Sequence, residues 1–394
     1  MEATIEKLMN ETRAELIEHI LPFWMSLKDE QYGGYYGRVD YQLNVDRIAP
    51  KGGIAAARLL WTFSSVYRSL YDEKYLLHAQ HAYHFLVDRF IDQEYGGLFW
   101  MVDHKGEAID NDKHIYTQAF AVYALSEYYL ATSDPMALEH AIKLFELIEE
   151  VGYNPVKNAY KEQFTRKWEE IPNDKIGDEF MAPITTNTHL HILEAYTTLY
   201  RAYPDERVKE RLTNLIKIFY EKIYDRTAKC FHVFFDQNWK AIGNIKSYGH
   251  DIETSWLIDE ALEAISLEDE RYHQLVVDVA YNIADIAILP DGTIANEERD
   301  GKLDKTKVWW GQTEAMIGFT NAFQRTNDQR FLGLVEGIWD YVQNHLIDQR
   351  PNGEWYWSIE ADGQPTARDI VEPWKCPYHN VRFCLEVMRR LGND

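Results

Sequence analysis

Six stretches of the chain carry the same short pattern, in which turn residues such as Gly or Asn accompany an aromatic-rich, strand-like run. The copies recur about every sixty residues, with one longer interval, and such self-similarity is typical of a repeat architecture. A polar turn follows each copy, which indicates a β-hairpin or an extended loop. The copies are QYGGYYG (31–37), EYGGLFW (94–100), KNAYKEQF (157–164), AKCFHVFF (228–235), DGTIANE (291–297) and NGEWYWSI (352–359).

Two kinds of helix alternate between these stretches. A helix that is apolar all round is buried, whereas one with a single apolar stripe lies at the surface. The nearly charge-free helices are predicted over 54–67, 115–129, 188–200, 250–262, 310–323 and 377–388. The amphipathic helices are predicted over 3–22, 72–90, 134–150, 204–222, 268–286 and 327–346. The alternation predicts an all-α (α/α)6 barrel of six inner and six outer helices, with short β-hairpins at one rim.

An open solenoid of helical pairs is the alternative architecture. A solenoid needs polar caps at both ends, but the first and last repeats here are as apolar as the middle ones. The closed barrel is therefore favoured. No Pro/Gly/Ser-rich linker divides the chain, so we expect residues 1–394 to form a single catalytic domain.

Charge and cysteine content exclude several classes of partner. The chain has 41 Lys+Arg against 64 Asp+Glu, a formal charge of −23, which argues against nucleic acid and anionic membrane surfaces. We find no apolar run of the roughly 18–20 residues that a membrane helix needs, and no signal peptide in the acidic N-terminus. Three cysteines, Cys230, Cys376 and Cys384, make no disulfide framework. We therefore expect a cytoplasmic protein.

The polar residues of the buried helices cluster in their first turns. If the inner helices are parallel, these turns meet at one mouth of the barrel, and a concave site with a few convergent polar groups is the default active-site hypothesis. Buried polar groups also cost free energy and need a reason. The clustered residues are Arg58, Tyr116, Gln118, Asn187, His189, His191, His250, Asp251, Glu253, Trp310, Glu314, Tyr378 and His379.

The histidines indicate proton transfer at a carbon next to a carbonyl. Two histidines on opposite walls can remove a proton from one face of a carbon and return it to the other. An arginine and a third histidine can hold the oxyanion formed meanwhile. His191 and His250 each precede a glutamate by three residues, which would fix the imidazole tautomer from the same helix face. His189 and His191 are two residues apart and face different ways on a helix, so we expect at most one of them to point into the site and the other to be structural.

Other chemistry remains open from the residues alone. A glycoside hydrolase could use paired carboxylates drawn from Asp251, Glu253 and Glu314, but three histidines would then lack a role. A non-catalytic sugar-binding barrel would need the aromatic residues and no bases. A metal site is less favoured because the His/Glu order is the reverse of that in carboxylate-bridged bundles. Cys376 lies near a histidine but lacks a visible third group to orient it as a nucleophile.

Five motifs carry a resemblance that runs from end to end of the chain. KGGIAAARLLWTF, NTHLHILEAYTTLYR, SYGHDIETSWL, KVWWGQTEAMIGF and EPWKCPYHNVRFCLE resemble, in order, the cellobiose 2-epimerases of the N-acylglucosamine 2-epimerase family. The resemblance implies an (α/α)6 barrel that needs no metal or organic cofactor. It implies epimerisation at C2 of a reducing-end sugar, D-glucose to D-mannose, through ring opening and an enediolate. The expected partner is a small neutral sugar, and the expected state is a monomer or weak homodimer.

The resemblance also implies roles for individual residues. His250 and His379 correspond to the general acid/base pair, His191 to a histidine that stabilises the intermediate, and Arg58 to the arginine near the reacting centre. Trp374 is identified by the resemblance alone. The expected substrate-binding residues are Arg58, Tyr116, Asn187, Glu253, Trp310, Glu314 and Trp374, with no metal ligands.

Some positions depart from the family pattern. Ala55, Ala56, Gly311, Thr313 and Val381 replace the residues that the pattern leads us to expect. They surround the sugar-binding end and not the two proton-transfer histidines. The reaction type is therefore better determined than the substrate. A D-mannose/D-glucose 2-epimerase or an aldose–ketose isomerase of the same family is the close alternative.

Overall fold

The computed structural model describes residues 1–392, and over that range it contains thirteen α-helices. No helix in the range is long and apolar enough to cross a lipid bilayer. The helices are α1 (Glu2–Ala14), α2 (Leu21–Ser26), α3 (Gly53–Leu70), α4 (Glu73–Phe85), α5 (Ile115–Thr132), α6 (Pro135–Leu147), α7 (Thr186–Ala202), α8 (Glu206–Ile218), α9 (Tyr248–Ile265), α10 (Glu270–Ile286), α11 (Trp309–Thr326), α12 (Gln329–Tyr341) and α13 (Tyr378–Leu391). Single π-helical turns extend α1, α4, α6, α8 and α12, at Glu15–Ile20, Leu86–Phe90, Ile148–Gly152, Phe219–Ile223 and Val342–Leu346, and a short 3₁₀ turn spans Asp178–Phe180.

Helices α3, α5, α7, α9, α11 and α13 form a closed inner ring. Each packs on the next, and α13 returns to α3, which excludes the open solenoid. The amphipathic helices pack outside the ring, and α1 packs on α13, so the two ends of the chain complete one barrel. The predicted (α/α)6 architecture is confirmed. That residues 1–394 form a single catalytic domain stays a prediction.

Twenty short strands lie at one end of this ring within the described range. Most are two residues long, so their role is to order the loops and not to build a sheet of their own. They are β1 (Arg38–Val39), β2 (Val45–Asp46), β3 (Lys51–Gly52), β4 (Met101–Val102), β5 (Ala108–Asp110), β6 (Lys113–His114), β7 (Tyr153–Asn154), β8 (Ala159–Tyr160), β9 (Gln163–Phe164), β10 (Glu170–Ile171), β11 (Ile184–Thr185), β12 (Tyr224–Asp225), β13 (Cys230–Phe231), β14 (Phe234–Phe235), β15 (Ala241–Ile242), β16 (Ile245–Ser247), β17 (Glu297–Arg299), β18 (Lys302–Asp304), β19 (Lys307–Val308) and β20 (Ser358–Ile359).

The strands connect neighbouring repeats. The strand before an inner helix pairs antiparallel with the hairpin of the following repeat, as in the sheets β3-β4-β5, β6-β9-β10, β11-β14-β15 and β16-β17-β18. Val39 and Val371 join the first repeat to the last, through the Val39 N–H to the Val371 carbonyl at 3.1 Å. The predicted rim of hairpins is confirmed, and every inner helix begins at it.

Ion pairs fix the hairpins to the starts of four inner helices, and three of the four are buried, whereas Asp291 of the other is 36% exposed. In each pair a lysine two or three residues before the helix binds an acid of a hairpin, and both side chains of the two most buried pairs are at most 1% exposed. Losing one partner would leave a buried charge uncompensated. The pairs are Lys51–Asp29 at 2.7 Å, Lys113–Asp92 at 3.1 Å, Lys307–Asp291 at 3.1 Å and Lys375–Glu354 at 2.5 Å.

The fourth residue of an inner helix makes a second connection to the hairpins. In four repeats its side chain accepts a hydrogen bond from a hairpin N–H: Gln118 from Leu98 at 2.6 Å, His189 from Tyr160 at 3.1 Å, Asp251 from Phe231 at 2.8 Å and Gln312 from Ile294 at 3.0 Å.

The first repeat lacks this connection. Its fourth residue is Ala56, which cannot accept a hydrogen bond from Tyr35, the residue that corresponds to Leu98 in the repeat. A small internal cavity lies at this place, lined by Ala55, Ala56 and Tyr35 among others. The sequence alone showed only that position 56 is unusual.

Substituting Ala56→Asn should therefore stabilise the protein. The amide would fill part of the cavity and accept the Tyr35 N–H, which we expect to raise the free energy of unfolding by about 1 kcal/mol. Chemical denaturation followed by circular dichroism measures the change. Ala56→Val fills similar space without an acceptor, so an equal gain from valine would contradict the hydrogen-bond explanation.

Candidate active site

A cavity of about 300 Å³ opens at the rim where the inner helices begin. Nine of the ten predicted site residues line it, and Glu314 does not. A volume of this size is ordinary for a small-molecule site. The lining residues are Arg58, Tyr116, Asn187, His191, His250, Glu253, Trp309, Trp310, Trp357, Arg368, Glu372, Trp374 and His379.

The helix starts explain why these residues meet. Parallel helices that begin at one rim carry equivalent positions at equal depth, because each residue advances the helix by the same rise. The sixth residues of α3, α5, α7, α9 and α11 are Arg58, Phe120, His191, Glu253 and Glu314. The Arg58 guanidinium lies 4.3 Å from the centre of the Phe120 ring, which is 4.7 Å from that of His191.

His379 is oriented by a glutamate from the neighbouring helix. Its Nδ1 lies 2.7 Å from Glu314 Oε1, so the carboxylate accepts the Nδ1–H and leaves the Nε2 lone pair free. Burial, with Arg58 and Arg382, lowers the pKa of His379 well below its usual range, so the imidazole is a neutral base at neutral pH. Glu314, expected among the substrate-binding residues, does not line the cavity and lies behind His379.

His191 has the partner that its spacing predicts. Its Nδ1 is 2.8 Å from Glu194 Oε2, three residues along α7. Burial raises the pKa of Glu194, but Arg382 and His191 outweigh it and lower the value to about 2. The carboxylate is therefore ionised and accepts the Nδ1–H. The prediction that only one of His189 and His191 points into the site is also confirmed, since His191 lines the cavity whereas both ring nitrogens of His189 bond to backbone.

His250 does not have the partner that its spacing predicts. Its Nδ1 lies 2.7 Å from Ser247 Oγ, whereas Glu253 turns to Arg382 at 2.5 Å. Both neighbours are three residues away along the chain, and the guanidinium attracts the carboxylate more strongly than a neutral imidazole does. Burial and His191 lower the pKa of His250 to about 3. Its ring lies 4.6 Å from that of Trp310.

The three acids predicted for a glycosidase do not form the pair that it needs. Asp251 accepts the N–H of Phe231 and does not line the cavity, and Glu314 lies behind His379, so of these three only Glu253 faces the cavity, which Glu372 also lines. Two carboxyl groups must flank the scissile bond in that chemistry. Burial and the nearby Glu314 raise the pKa of Glu253 to about 7.

The positively charged side chain of Arg382 lies among these acidic residues. Glu253, Glu314 and His379 offer atoms within 4.8 Å of one another, and the guanidinium of Arg382 hydrogen-bonds both carboxylates at 2.5 and 2.6 Å. We did not anticipate Arg382, although a charge inside the apolar run of α13 is a signal. That no metal or cofactor is needed stays a prediction.

Two buried polar atoms belong to residues of the cavity wall and have no hydrogen-bond partner in the described residues. Arg58 donates to the Tyr116 hydroxyl at 3.0 Å and to the Trp374 carbonyl at 3.2 Å, and its buried Nε has no partner in the described residues. The buried Oδ1 of Asn187 likewise has none. Open buried donors and acceptors need a partner, and a hydroxyl-rich ligand would supply both kinds.

Aromatic rings complete the walls. Trp310 and Trp374 were expected, whereas Trp309 and Trp357 were not assigned to the site. The Arg368 guanidinium lies 3.5 Å from the centre of the Trp357 ring at the mouth. Flat apolar faces beside polar groups suit the C–H faces of a sugar ring.

Comparison with known proteins agrees with this geometry. Residues 34–382 match the model of the family described as N-acylglucosamine 2-epimerase (GlcNAc 2-epimerase). The chain belongs to the N-acylglucosamine 2-epimerase family. Cellobiose 2-epimerase from Ruminococcus albus is 41% identical over 387 residues, covering 97% of this chain and 99% of the relative. Membership and this similarity make the chain a carbohydrate epimerase, an isomerase.

A solved structure supports the assignment of the fold. The structure of cellobiose 2-epimerase from Bacillus thermoamylovorans B4167 is 56% identical, with a TM-score of 0.97 over 98% of this chain and 100% of that one. D-mannose isomerase from Marinomonas mediterranea is more distant, at 22% identity over 407 residues, with 95% of this chain and 96% of that protein covered.

Proposed function

We propose that this epimerase interconverts D-glucose and D-mannose at the reducing end of a β-linked disaccharide such as cellobiose or lactose. The three histidines that face one cavity, each with Nδ1 hydrogen-bonded on the protein side, are the observation that carries the proposal. The high similarity to cellobiose 2-epimerases supports the disaccharide.

His250 and His379 act as the acid/base pair in this proposal. After the sugar ring opens, one neutral imidazole removes the C2 proton and the C1 carbonyl becomes an enediolate. The other imidazole takes up a proton from solvent and donates it to the opposite face of C2, and the first imidazole releases the removed proton to solvent, so that both are neutral again. The two residues stand on α9 and α13, with Trp310 of α11 between them, at ring distances of 4.6 and 5.8 Å. Both low pKa values favour the neutral base.

The other residues of the cavity wall bind the sugar and stabilise the negative charge of the enediolate. Arg58 and His191 stabilise the oxyanion of the enediolate. The other polar residues bind hydroxyl groups, and Trp310 and Trp374 stack on the rings. In this proposal Glu314 acts through His379 and does not touch the sugar. The polar contacts are assigned to Tyr116, Asn187 and Glu253.

Epimerisation in deuterated water should place deuterium at C2 of the product. The proton delivered to C2 comes from an imidazole that exchanges its proton with solvent, so the new mannose residue should carry deuterium and lack its C2–H signal. Cellobiose, lactose, mannose and glucose are incubated separately, and the products are identified by NMR.

Each other outcome points to a specific alternative. A ketose product indicates the aldose–ketose isomerase, and turnover of free mannose or glucose alone indicates a monosaccharide epimerase. Glucose released from cellobiose would indicate a hydrolase. No change in any sugar would contradict the proposed function. The double variant His250→Asn/His379→Asn, which lacks both proposed bases, is the negative control.

A further inference from the structure

One arginine lies beneath the histidines and contacts an acid on each of three helices. Arg382 Nη2 donates to Glu253 Oε1 at 2.5 Å and to Glu314 Oε1 at 2.6 Å. Its Nη1 donates to Glu194 and to the Tyr378 hydroxyl. The side chain is 2% exposed. Because the acids stand on α7, α9 and α11, a single guanidinium connects four inner helices.

Two of these acids hold histidines. Glu194 accepts the Nδ1–H of His191 at 2.8 Å, and Glu314 accepts that of His379 at 2.7 Å. An ionised carboxylate in this position leaves the lone pair on Nε2, where a base must have it. Clustered buried carboxylates take up protons unless a cation compensates them. Arg382 is the cation that contacts both.

We propose that Arg382 is a positioning residue for the epimerisation, because its guanidinium keeps Glu194 and Glu314 ionised and thereby fixes the tautomers of His191 and His379. Arg382 is not among the residues that line the substrate cavity, so it acts through the glutamates and not by contact with the sugar. This inference rests on the proposed function, since it concerns how the bases of that reaction are prepared.

The charged groups around Arg382 determine in which direction the pH profile of activity should shift when the guanidinium is removed. Burial already raises the pKa of Glu314 while Arg382 opposes the shift. Removing the guanidinium should raise the pKa of Glu314 further and raise that of Glu194 from its lowered value, so both take up a proton at higher pH. The acid limb of the activity profile then moves upward. The groups that face this cluster are Arg58 (α3), Tyr123 (α5), His191 and Glu194 (α7), Glu253 (α9), Glu314 (α11), and Tyr378 and His379 (α13).

The pH dependence of kcat and KM in Arg382→Gln and Arg382→Lys tests the proposal. In the glutamine variant we expect kcat to fall with little change in KM, and the acid limb to move up by about one pH unit. Lysine keeps a positive charge but is a point donor that cannot serve three acids at once. Its acid limb should therefore lie between those of the wild type and the glutamine variant.

Arg390→Gln is the matched control. Arg390 lies on the same helix, is also buried, and binds Glu260 and Glu386 far from the histidines. Its loss should lower stability but leave the pH profile unchanged. If Arg382→Gln lowers kcat with an unshifted acid limb, as a structural loss would, the proposal is wrong. If the glutamine variant does not fold, an unshifted limb in Arg382→Lys overturns it.

A second measurement separates this inference from the proposed function. The ¹⁵N shifts of the imidazoles report the tautomers of His191 and His379 in the sugar-free protein, and each is assigned by its asparagine variant. Loss of the Nδ1–H tautomer at mildly acidic pH in Arg382→Lys, but not in the wild type, supports the positioning role. That result stands even if no tested sugar is epimerised, and unchanged tautomers would contradict it.

Discussion

Replacing His379 or His250 with asparagine should lower the rate of epimerisation about 10³-fold. Asparagine has similar bulk but no basic nitrogen, so one of the two proton transfers at C2 loses its catalyst. Glu314 and Ser247 would still find a hydrogen-bonding partner, which favours a folded variant. Initial rates on cellobiose, followed by NMR, measure the loss.

The assignment of two bases also predicts exchange of the C2 proton without inversion in these variants. With one base left, the C2 proton of one epimer can still exchange with deuterium although inversion is blocked. We expect this uncoupled exchange in at least one single variant and in neither case full activity. His189→Asn is the matched control, because His189 is buried on α7 but bonds only to backbone. It should lose stability and keep its rate at low temperature. A His379→Asn variant within tenfold of the wild-type rate would remove His379 from the mechanism.

Substituting Arg58→Met should reduce kcat by about 10²–10³-fold, because the enediolate would lose its positively charged donor. The guanidinium is buried and bonded to Tyr116 and the Trp374 carbonyl, and its Nε has no partner among residues 1–392. Arg58→Lys keeps the charge without the planar fork, so we expect an intermediate rate.

Arg68→Met is the control for this substitution. Arg68 stands at the far end of the same helix and pairs with Glu127 at 2.9 Å, away from the rim cavity. Its loss should leave kcat unchanged. If Arg58→Met raised KM alone and left kcat intact, Arg58 would bind substrate and intermediate equally, and its proposed role in stabilising the oxyanion would be wrong.

Sequence periodicity placed the helices well because burial is encoded locally. Five of the six amphipathic helices begin and end within two residues of their predicted bounds when the π-helical turns are included. The contacts between repeats were not predicted, since pairing of β3 with β4 joins segments about fifty residues apart. No local pattern specifies such a partner.

In the active site too, spacing predicts contacts within one helix and does not predict contacts between helices. His191 and Glu194 lie on one helix, so spacing alone predicted their contact. The same rule failed for His250, and it could not supply Glu314 as the partner of His379, because that pair depends on how two neighbouring helices are rotated.

The sequence alone therefore determined the sixfold alternation, the buried ring and the residues whose side chains meet at its rim. Helical periodicity and the cost of burying polar groups act within each segment, and both can be read from residue order. Only the tertiary structure decided which acid serves which histidine and that Arg382 lies among Glu194, Glu253 and Glu314. Those choices depend on charge and distance between helices that are far apart in the chain, and a buried guanidinium binds the acids it can reach in space.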